Sequence, residues 1–115
     1  MPKSKSQILQ GTLDLMVLQT LEQMGPLHGF GIARRIEQVA RGKLVVNQGT
    51  VYLCLTRLLQ SGWIRSKWGT SDNNRRAKFY NLTAAGRRQL RSETENWNEI
   101  AGMMERILQP NEGGS

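Results

Sequence analysis

The order in which helical and strand-like patterns follow one another restricts the fold of this chain most strongly. Three short segments carry apolar residues at the spacing of one helical face. Two β-prone segments then flank a run of turn-forming residues, and a long helical segment follows. A chain of 115 residues suits one domain. We therefore expect a mainly α protein with a small β-hairpin.

The first two helical segments have clear end signals. Gly25-Pro26 ends the first segment and Arg41-Gly42 closes the second, which covers residues 28–41. Gly29 and Gly31 weaken the first turn of the second helix, so we expect it to begin close to Phe30. The apolar face of the first helix is predicted to consist of Leu9, Leu13, Met16, Val17, Thr20, Leu21 and Met24. The stripe of the second consists of Ile32, Ala33, Ile36 and either Val39 or Ala40.

A third helix is predicted to follow Asn47, which is a good N-cap residue, and to stop at Ser61-Gly62. Its apolar stripe comprises Val51, Tyr52, Leu55, Leu58 and Leu59. The β-prone segments 63–68 and 76–82 then flank residues 69–75, which predict a hairpin with a long, basic tip. Three short helices followed by a two-stranded wing are typical of a winged helix-turn-helix.

The last helix is predicted to run from about Ala84 to Leu108, with Thr83 as its cap. We accordingly divide the chain into a flexible N-terminus (1–7), a winged helix-turn-helix domain (8–82), a C-terminal dimerisation helix (83–108) and a disordered tail (109–115).

The positive charge of the chain is concentrated in residues 57–91. This segment has a net charge of +8, whereas the rest of the chain sums to −1. A segregated basic block indicates a polyanionic partner more clearly than a uniform excess does. We favour nucleic acid over the alternative, which is an ordinary solvated surface.

The outer face of the third helix has the composition of a helix that enters the major groove of DNA. Small residues permit close approach, Gln and Thr hydrogen-bond base edges, and Thr or Leu contacts a thymine methyl group. Residues near the start of such a helix do most of the reading. The predicted DNA-binding residues here are Asn47, Gln48, Gly49, Thr50, Tyr52, Leu53, Thr56 and Arg57.

The hairpin is predicted to add contacts to DNA phosphates or to the minor groove. Its predicted DNA-binding residues are Lys67, Asn73, Asn74, Arg75, Arg76 and Lys78. Four cations exceed what is needed for the alternative role, which is a charged edge that prevents pairing with other strands.

Several blocks of this sequence resemble the PadR family of bacterial transcription regulators, in particular its short subgroup with one C-terminal helix. The resemblance covers about residues 7–97 and lies in LQGTLDLMVL, LHGFGIARRIE, VNQGTVY, RLLQSGWI and NNRRAKFYNLTAAGRRQL. It implies a winged-helix dimer that binds operator DNA, usually as a repressor, and a small ligand that lowers DNA affinity in many members. Leu53 stands where the family typically has proline and Cys54 where it has alanine, so the family's operator preference does not transfer directly. Phe30 stands where tyrosine is common, so a phosphate contact through that hydroxyl is absent.

The long last helix carries a heptad seam that predicts a homodimer. The seam residues are spaced four and three apart, and Ile100 and Ile107 widen the stripe. Dimerisation would place two recognition helices about one DNA turn apart. The alternative is a helix that folds back on its own domain. The predicted dimer interface consists of Leu90, Thr94, Trp97, Ala101, Met104 and Leu108.

Two single residues suggest regulation. The resemblance to ligand-responsive members suggests the hypothesis that Trp97 lines an effector pocket between subunits. Simple packing of Trp97 in the subunit interface is the favoured interpretation. Cys54 suggests a redox switch, against the more common role of a small core residue.

Other classes of protein fit the sequence poorly. The one histidine, His28, lies beside glycines at a helix start, where it more simply packs or caps, and no metal-ligand cluster or phosphate-binding loop is present. We expect no enzyme activity, cofactor or metal. A single cysteine, no bilayer-length apolar run and no signal-peptide core predict a cytoplasmic protein without membrane contact. The remaining alternative is a winged-helix nucleic-acid or protein docking module without operator specificity.

Overall fold

The computed structural model describes the backbone of residues 5–110 and the side chains of residues 11–110. Within this part of the chain four helices and three strands follow one another. They are α1 (Lys5–Met24), β1 (Leu27–His28), α2 (Gly29–Val39), α3 (Gln48–Gln60), β2 (Ile64–Thr70), β3 (Arg76–Leu82) and α4 (Ala84–Leu108). The predicted mainly α winged-helix fold with a long C-terminal helix is confirmed.

The two chain ends lie partly outside the described residues. Helix α1 begins at Lys5, so residues 5–7 of the segment that was predicted to be flexible are helical. Residues 1–4 of that segment lie outside the described residues. The side chain of Leu9 and residues 111–115 of the predicted tail also lie outside them.

The sheet has three antiparallel strands in the order β1-β3-β2, rather than the two of the predicted hairpin. Strands β2 and β3 pair continuously from Ile64↔Leu82 to Thr70↔Arg76, so the wing is longer and its tip shorter than the sequence indicated. Strand β1 pairs with the other edge of β3 through Leu27↔Tyr80 and His28↔Phe79. This short strand ties the α1–α2 connection to the base of the wing.

Local capping signals were predicted correctly. Asn47 Oδ1 accepts the Thr50 amide at 3.2 Å, and Thr83 Oγ1 accepts the Gly86 amide at 3.0 Å. His28 Nδ1 accepts the Gly31 amide at 3.0 Å, so the histidine caps α2, the local role expected of it. Gly25 follows α1 with a φ of 75°, a conformation that favours glycine.

The core lies between α1, α2, α3 and the inner face of the sheet. Its buried apolar residues are Val17, Leu18, Leu21, Ile32, Ala33, Ile36, Val51, Cys54, Leu55, Leu58, Ile64, Tyr80, Leu82 and Leu90. Two residues of the predicted apolar faces, Tyr52 and Met24, are instead exposed. Of the alternatives Val39 and Ala40, Val39 is exposed and Ala40 is partly buried. Cys54 is buried and Tyr52 is not, because the core-facing side of α3 is rotated by about 50° from the predicted stripe, away from Tyr52 and toward Cys54.

Helix α4 packs on the domain only with its first turns. Gly86 and Leu90 are buried. Leu90 belongs to the core of its own chain and is only 5% exposed to solvent. This burial argues against the assignment of Leu90 to the dimer interface, which stays a prediction, because a side chain enclosed by its own domain offers little surface to a partner. Beyond it the helix extends away, which gives the molecule extents of 63 × 31 × 30 Å. None of the described helices is long and apolar enough to cross a membrane.

Candidate nucleic-acid interface

Helix α3 presents three distinct surfaces around its buried side. At about 100° per residue, Gly49, Leu53, Thr56 and Gln60 fall within about 30° of the direction opposite the core. We call these four residues the outer arc. Gln48 and Tyr52 flank the outer arc on the side of the wing. Thr50 and Arg57 flank it on the side of α1. The predicted recognition residues are thus divided among three directions, and the outer arc is the part of α3 that points most directly outward.

The start of α3 is fixed by two hydrogen bonds. The Asn47 cap holds the first turn, and the backbone amide of Val46 donates to the carboxylate of Glu37 on α2 at 2.7 Å. A charge-assisted bond of this kind is stronger than one between neutral groups. The loop before α3 therefore holds the helix start in a defined position relative to α2.

A cleft of about 450 Å³ separates α3 from the wing. Arg75, Arg76 and Lys78 line its wing side, and the exposed rings of Phe30 and Tyr52 line its helix side. None of the described residues that line it is acidic. The cleft therefore combines positive charge with aromatic surface and fits a polyanion such as a nucleic-acid backbone.

Trp68 is a residue of this surface that the sequence analysis did not single out. The guanidinium carbon of Arg76 lies 4.6 Å from the centre of the Trp68 ring, and Lys78 Nζ lies 5.6 Å from it. The strand register places Trp68 directly opposite Lys78. Cation–π contacts of this kind hold both cations on the face of the wing that borders the cleft. The alternation of residues along a hairpin would have predicted this contact had the register been known.

The other predicted wing residues lie elsewhere. Lys67 lies opposite Phe79 on the outer face of the hairpin, away from Arg76 and Lys78. Asn73 and Asn74 lie in the turn, which is closed by a hydrogen bond from the Ser71 amide to the Arg75 carbonyl at 2.8 Å. Asn74 has a φ of 59°, which asparagine adopts more readily than most residues. The wing therefore divides its polar residues among the inner face, the turn and the outer face.

Arg57 is engaged within the chain. Its guanidinium donates to Asp14 Oδ1 of α1 at 2.6 Å, and the Cys54 thiol donates to the same oxygen at 2.9 Å. The contact of Arg57 with DNA stays a prediction, and this ion pair argues against it because the guanidinium already has an anionic partner.

Cys54 lies in an environment that disfavours its reactive form. Burial raises the pKa of the Cys54 thiol strongly, and both the hydrogen bond to Asp14 and the charge of Asp14 raise it further. The nucleophilic thiolate is therefore suppressed, and this argues against the redox-switch hypothesis.

The outer half of α4 carries most of the predicted dimer seam. Trp97, Ala101, Met104 and Leu108 are exposed, as are Ile100, Met103 and Ile107 beside them. Thr94 is also exposed, and its hydroxyl donates to the Leu90 carbonyl at 2.8 Å. Their role in a dimer, and that of Trp97 in an effector pocket, stay predictions.

Comparison with known proteins identifies the family to which this sequence and fold are similar. The model of the transcriptional regulator PadR-like family matches residues 17–92. The fold is similar to a transcriptional regulator from Clostridium thermocellum, with a TM-score of 0.80 and 22% identity over 93% of this chain and 100% of that one. A PadR family transcriptional regulator from Eggerthella lenta is 26% identical over 92% of each chain, with a TM-score of 0.73. The Bacillus subtilis PadR in complex with operator DNA matches at a TM-score of 0.62 and 22% identity, over 70% of this chain and 45% of that one.

Proposed function

Because this chain belongs to the PadR-like family of transcriptional regulators, we propose that it is a homodimeric repressor that binds a palindromic DNA operator. The observation that carries the proposal is the outer arc of α3 beside a cationic cleft without acidic lining. An exposed helix flanked by such a cleft offers one surface for base edges and another for the phosphates next to them. A solved neighbour described as PadR in complex with operator DNA supports duplex DNA as the ligand.

In this proposal α3 enters the major groove and the wing follows the backbone. The outer arc contacts base edges, and Gln48 and Tyr52 address the neighbouring phosphate or base on the wing side. Arg76 and Lys78, held on Trp68, bind phosphates across the cleft, while Arg75 and the two asparagines of the turn reach the next part of the duplex. Phosphate contacts then provide affinity, and α3 provides sequence preference.

The homodimer is supported by the apolar surface of α4. The part of α4 that extends beyond the domain carries a continuous exposed apolar stripe, which consists of Trp97, Ile100, Met104, Ile107 and Leu108. Ile107 is 73% exposed, and a run of such residues on one chain is the usual mark of an association surface. A second copy would cover the stripe and place two α3 helices on one two-fold symmetric site.

Repression would follow from occupation of the operator. A small apolar effector bound at the subunit interface near Trp97 would change the distance between the two α3 helices and so release the DNA. Trp97 is half exposed in the single chain, so its fluorescence would respond both to the second subunit and to such a ligand.

Analytical ultracentrifugation combined with DNA binding tests this proposal. The wild-type protein should sediment at twice its chain mass of 13.0 kDa and bind an inverted-repeat duplex. Ile107→Glu should sediment as a monomer and lose the gain in affinity that a second half-site provides, because the charge cannot be buried in an apolar seam. Val39→Glu, at an exposed valine of α2, is the matched control and should behave as wild type. A monomeric wild-type protein, or equal binding to one and two half-sites, would contradict the dimeric operator proposal.

A further inference from the structure

The outer arc of α3 offers apolar groups rather than hydrogen-bonding groups at its centre. Gly49 has no side chain and Leu53 is 61% exposed. The hydroxyl of Thr56 donates its one proton to the Tyr52 carbonyl at 3.0 Å, so it is not free to donate to a base. The methyl group of Thr56 and the isobutyl group of Leu53 are therefore what the middle of α3 can present to a groove.

The polar side chains at and near α3 are engaged within the chain or lie to the sides or at the ends of the outer arc, where Thr50 and Tyr52 flank it. Arg57 is paired with Asp14, and the Asn47 side-chain oxygen is used in the cap. Gln48 and Gln60 are the first and last residues of the helix. At Gly49 a Cβ would lie 3.0 Å from the Asn47 cap oxygen, so a small residue preserves the cap and leaves room for close approach.

A second exposed apolar residue extends this surface. Val45 is 87% exposed, and it lines the same surface cavity of about 430 Å³ as Leu53. The loop that carries it is held by the bond from the Val46 amide to Glu37. Leu53 shares this cavity with Val45 and lies three residues before Thr56 on the outer arc, and we call these three residues the methyl patch.

We propose that the methyl patch reads the C5-methyl groups of thymines, with Leu53 as the main specificity-determining residue. In the major groove thymine differs from every other base in carrying a methyl group, and apolar side chains are the groups that contact it. The inference rests on the proposed operator binding and names the feature of the operator that is read. It also gives a physical role to Leu53, one of the positions at which this chain departs from the family pattern.

Uracil substitution tests this contact directly, because uracil pairs as thymine does but lacks the methyl group. The operator recovered by selection is resynthesised with uracil at one thymine at a time, and dissociation constants are measured at fixed salt. Removal of a contacted methyl group should weaken wild-type binding about fourfold, as expected for one buried methyl-sized group. At least one thymine in each half-site should show this loss.

The Leu53→Ala variant links the effect to the side chain. It should bind the thymine and uracil operators equally at the affected position, because the interaction energy between the two groups disappears when either is removed. Leu53 is exposed, so the variant should retain the wild-type melting temperature. Val39→Ala, on an exposed face of α2, is the control and should keep the full uracil penalty.

Two results would overturn the inference. Uracil at every position without effect on wild-type binding would show that no methyl group is read, and an undiminished penalty in Leu53→Ala would show that another residue reads it. In both cases the protein still binds its operator, so the proposed function stands. Failure to recover any preferred sequence would instead overturn the proposed function, and this inference with it.

Discussion

Gly86→Ala should destabilise the protein, although alanine is the better helix former. Gly86 lies in the first turn of α4, where the helix packs on the start of the wing. A Cβ built on it falls on the carbonyl oxygen of Trp63, and it lies 2.9 Å from the Trp63 carbonyl carbon and 3.2 Å from Leu82 Cδ2. The same Trp63 oxygen accepts the Thr83 amide at 3.1 Å. Backbone atoms cannot rotate away, so α4 must move and this hydrogen bond must weaken.

The size of the effect follows from three contributions. Overpacking costs about 1–3 kcal/mol and a weakened hydrogen bond about 0.5–1.5 kcal/mol, while the higher helix propensity of alanine returns about 1 kcal/mol. The net loss is about 0.5–3.5 kcal/mol, which corresponds to a melting temperature lowered by roughly 2–14 °C for a chain of this size. Circular dichroism during heating, at one fixed protein concentration because association also stabilises, measures this shift.

Gly102→Ala is the matched control for this substitution. It lies in the same helix, where a Cβ would make ordinary contact, 3.6 Å from the flexible guanidinium of Arg106. Helix propensity then dominates, and the free energy of unfolding should rise by up to about 1 kcal/mol. The two substitutions should therefore have opposite signs. Equal melting temperatures for the two variants would refute the close packing of α4 on Trp63.

Four further substitutions test the interface and the core. Arg57→Gln should leave the salt dependence of DNA binding unchanged, because Arg57 is paired with Asp14. Arg75→Gln should lower the slope of log K against log salt by about 1, as measured by fluorescence anisotropy. A lowered slope in both variants would show that Arg57 also contacts DNA. Trp68→Leu should weaken binding to all duplexes several-fold without changing the preferred sequence, since it releases Arg76 and Lys78, and a changed preference would contradict this role. The Cys54 thiol should react with a disulfide reagent only as fast as the protein opens. Fast reaction of the native protein would contradict the burial of this thiol. Because the pKa of the thiol is raised in the folded state, its contribution to stability is present below its ordinary pKa of 9.0 and is lost as pH rises beyond that value. Denaturation experiments on Cys54→Ala should not show this loss.

Local signals in the sequence were sufficient for the order and ends of most elements. Asn47, Thr83 and Gly25 act through hydrogen bonds or backbone conformations within a few residues, so their roles can be read without knowing the tertiary structure. The division of charge likewise predicted the cationic wing, because the basic residues are close together in the chain.

Features that depend on distant residues could not be predicted in this way. The partner of Arg57 is Asp14, 43 residues earlier, and helical periodicity gives the direction of a side chain but not what it meets there. Strand β1 has two residues, too few for any alternation to be recognised. Leu90 fits a heptad seam by spacing alone, yet the first turns of α4 lie against the domain and bury it. The path of α4 relative to the core, which no local pattern specifies, decides which part of the seam is free.

Selection from a pool of random duplex DNA tests whether α3 reads a specific operator sequence. The purified protein is incubated with the pool at moderate salt, and the retained duplexes are amplified and sequenced through successive rounds. The dimeric regulator should retain an inverted repeat whose half-sites are about one helical turn apart and contain thymines that α3 contacts. Retention of an unenriched pool with steep salt dependence would contradict this expectation, because the wing would then bind phosphates without any reading by α3.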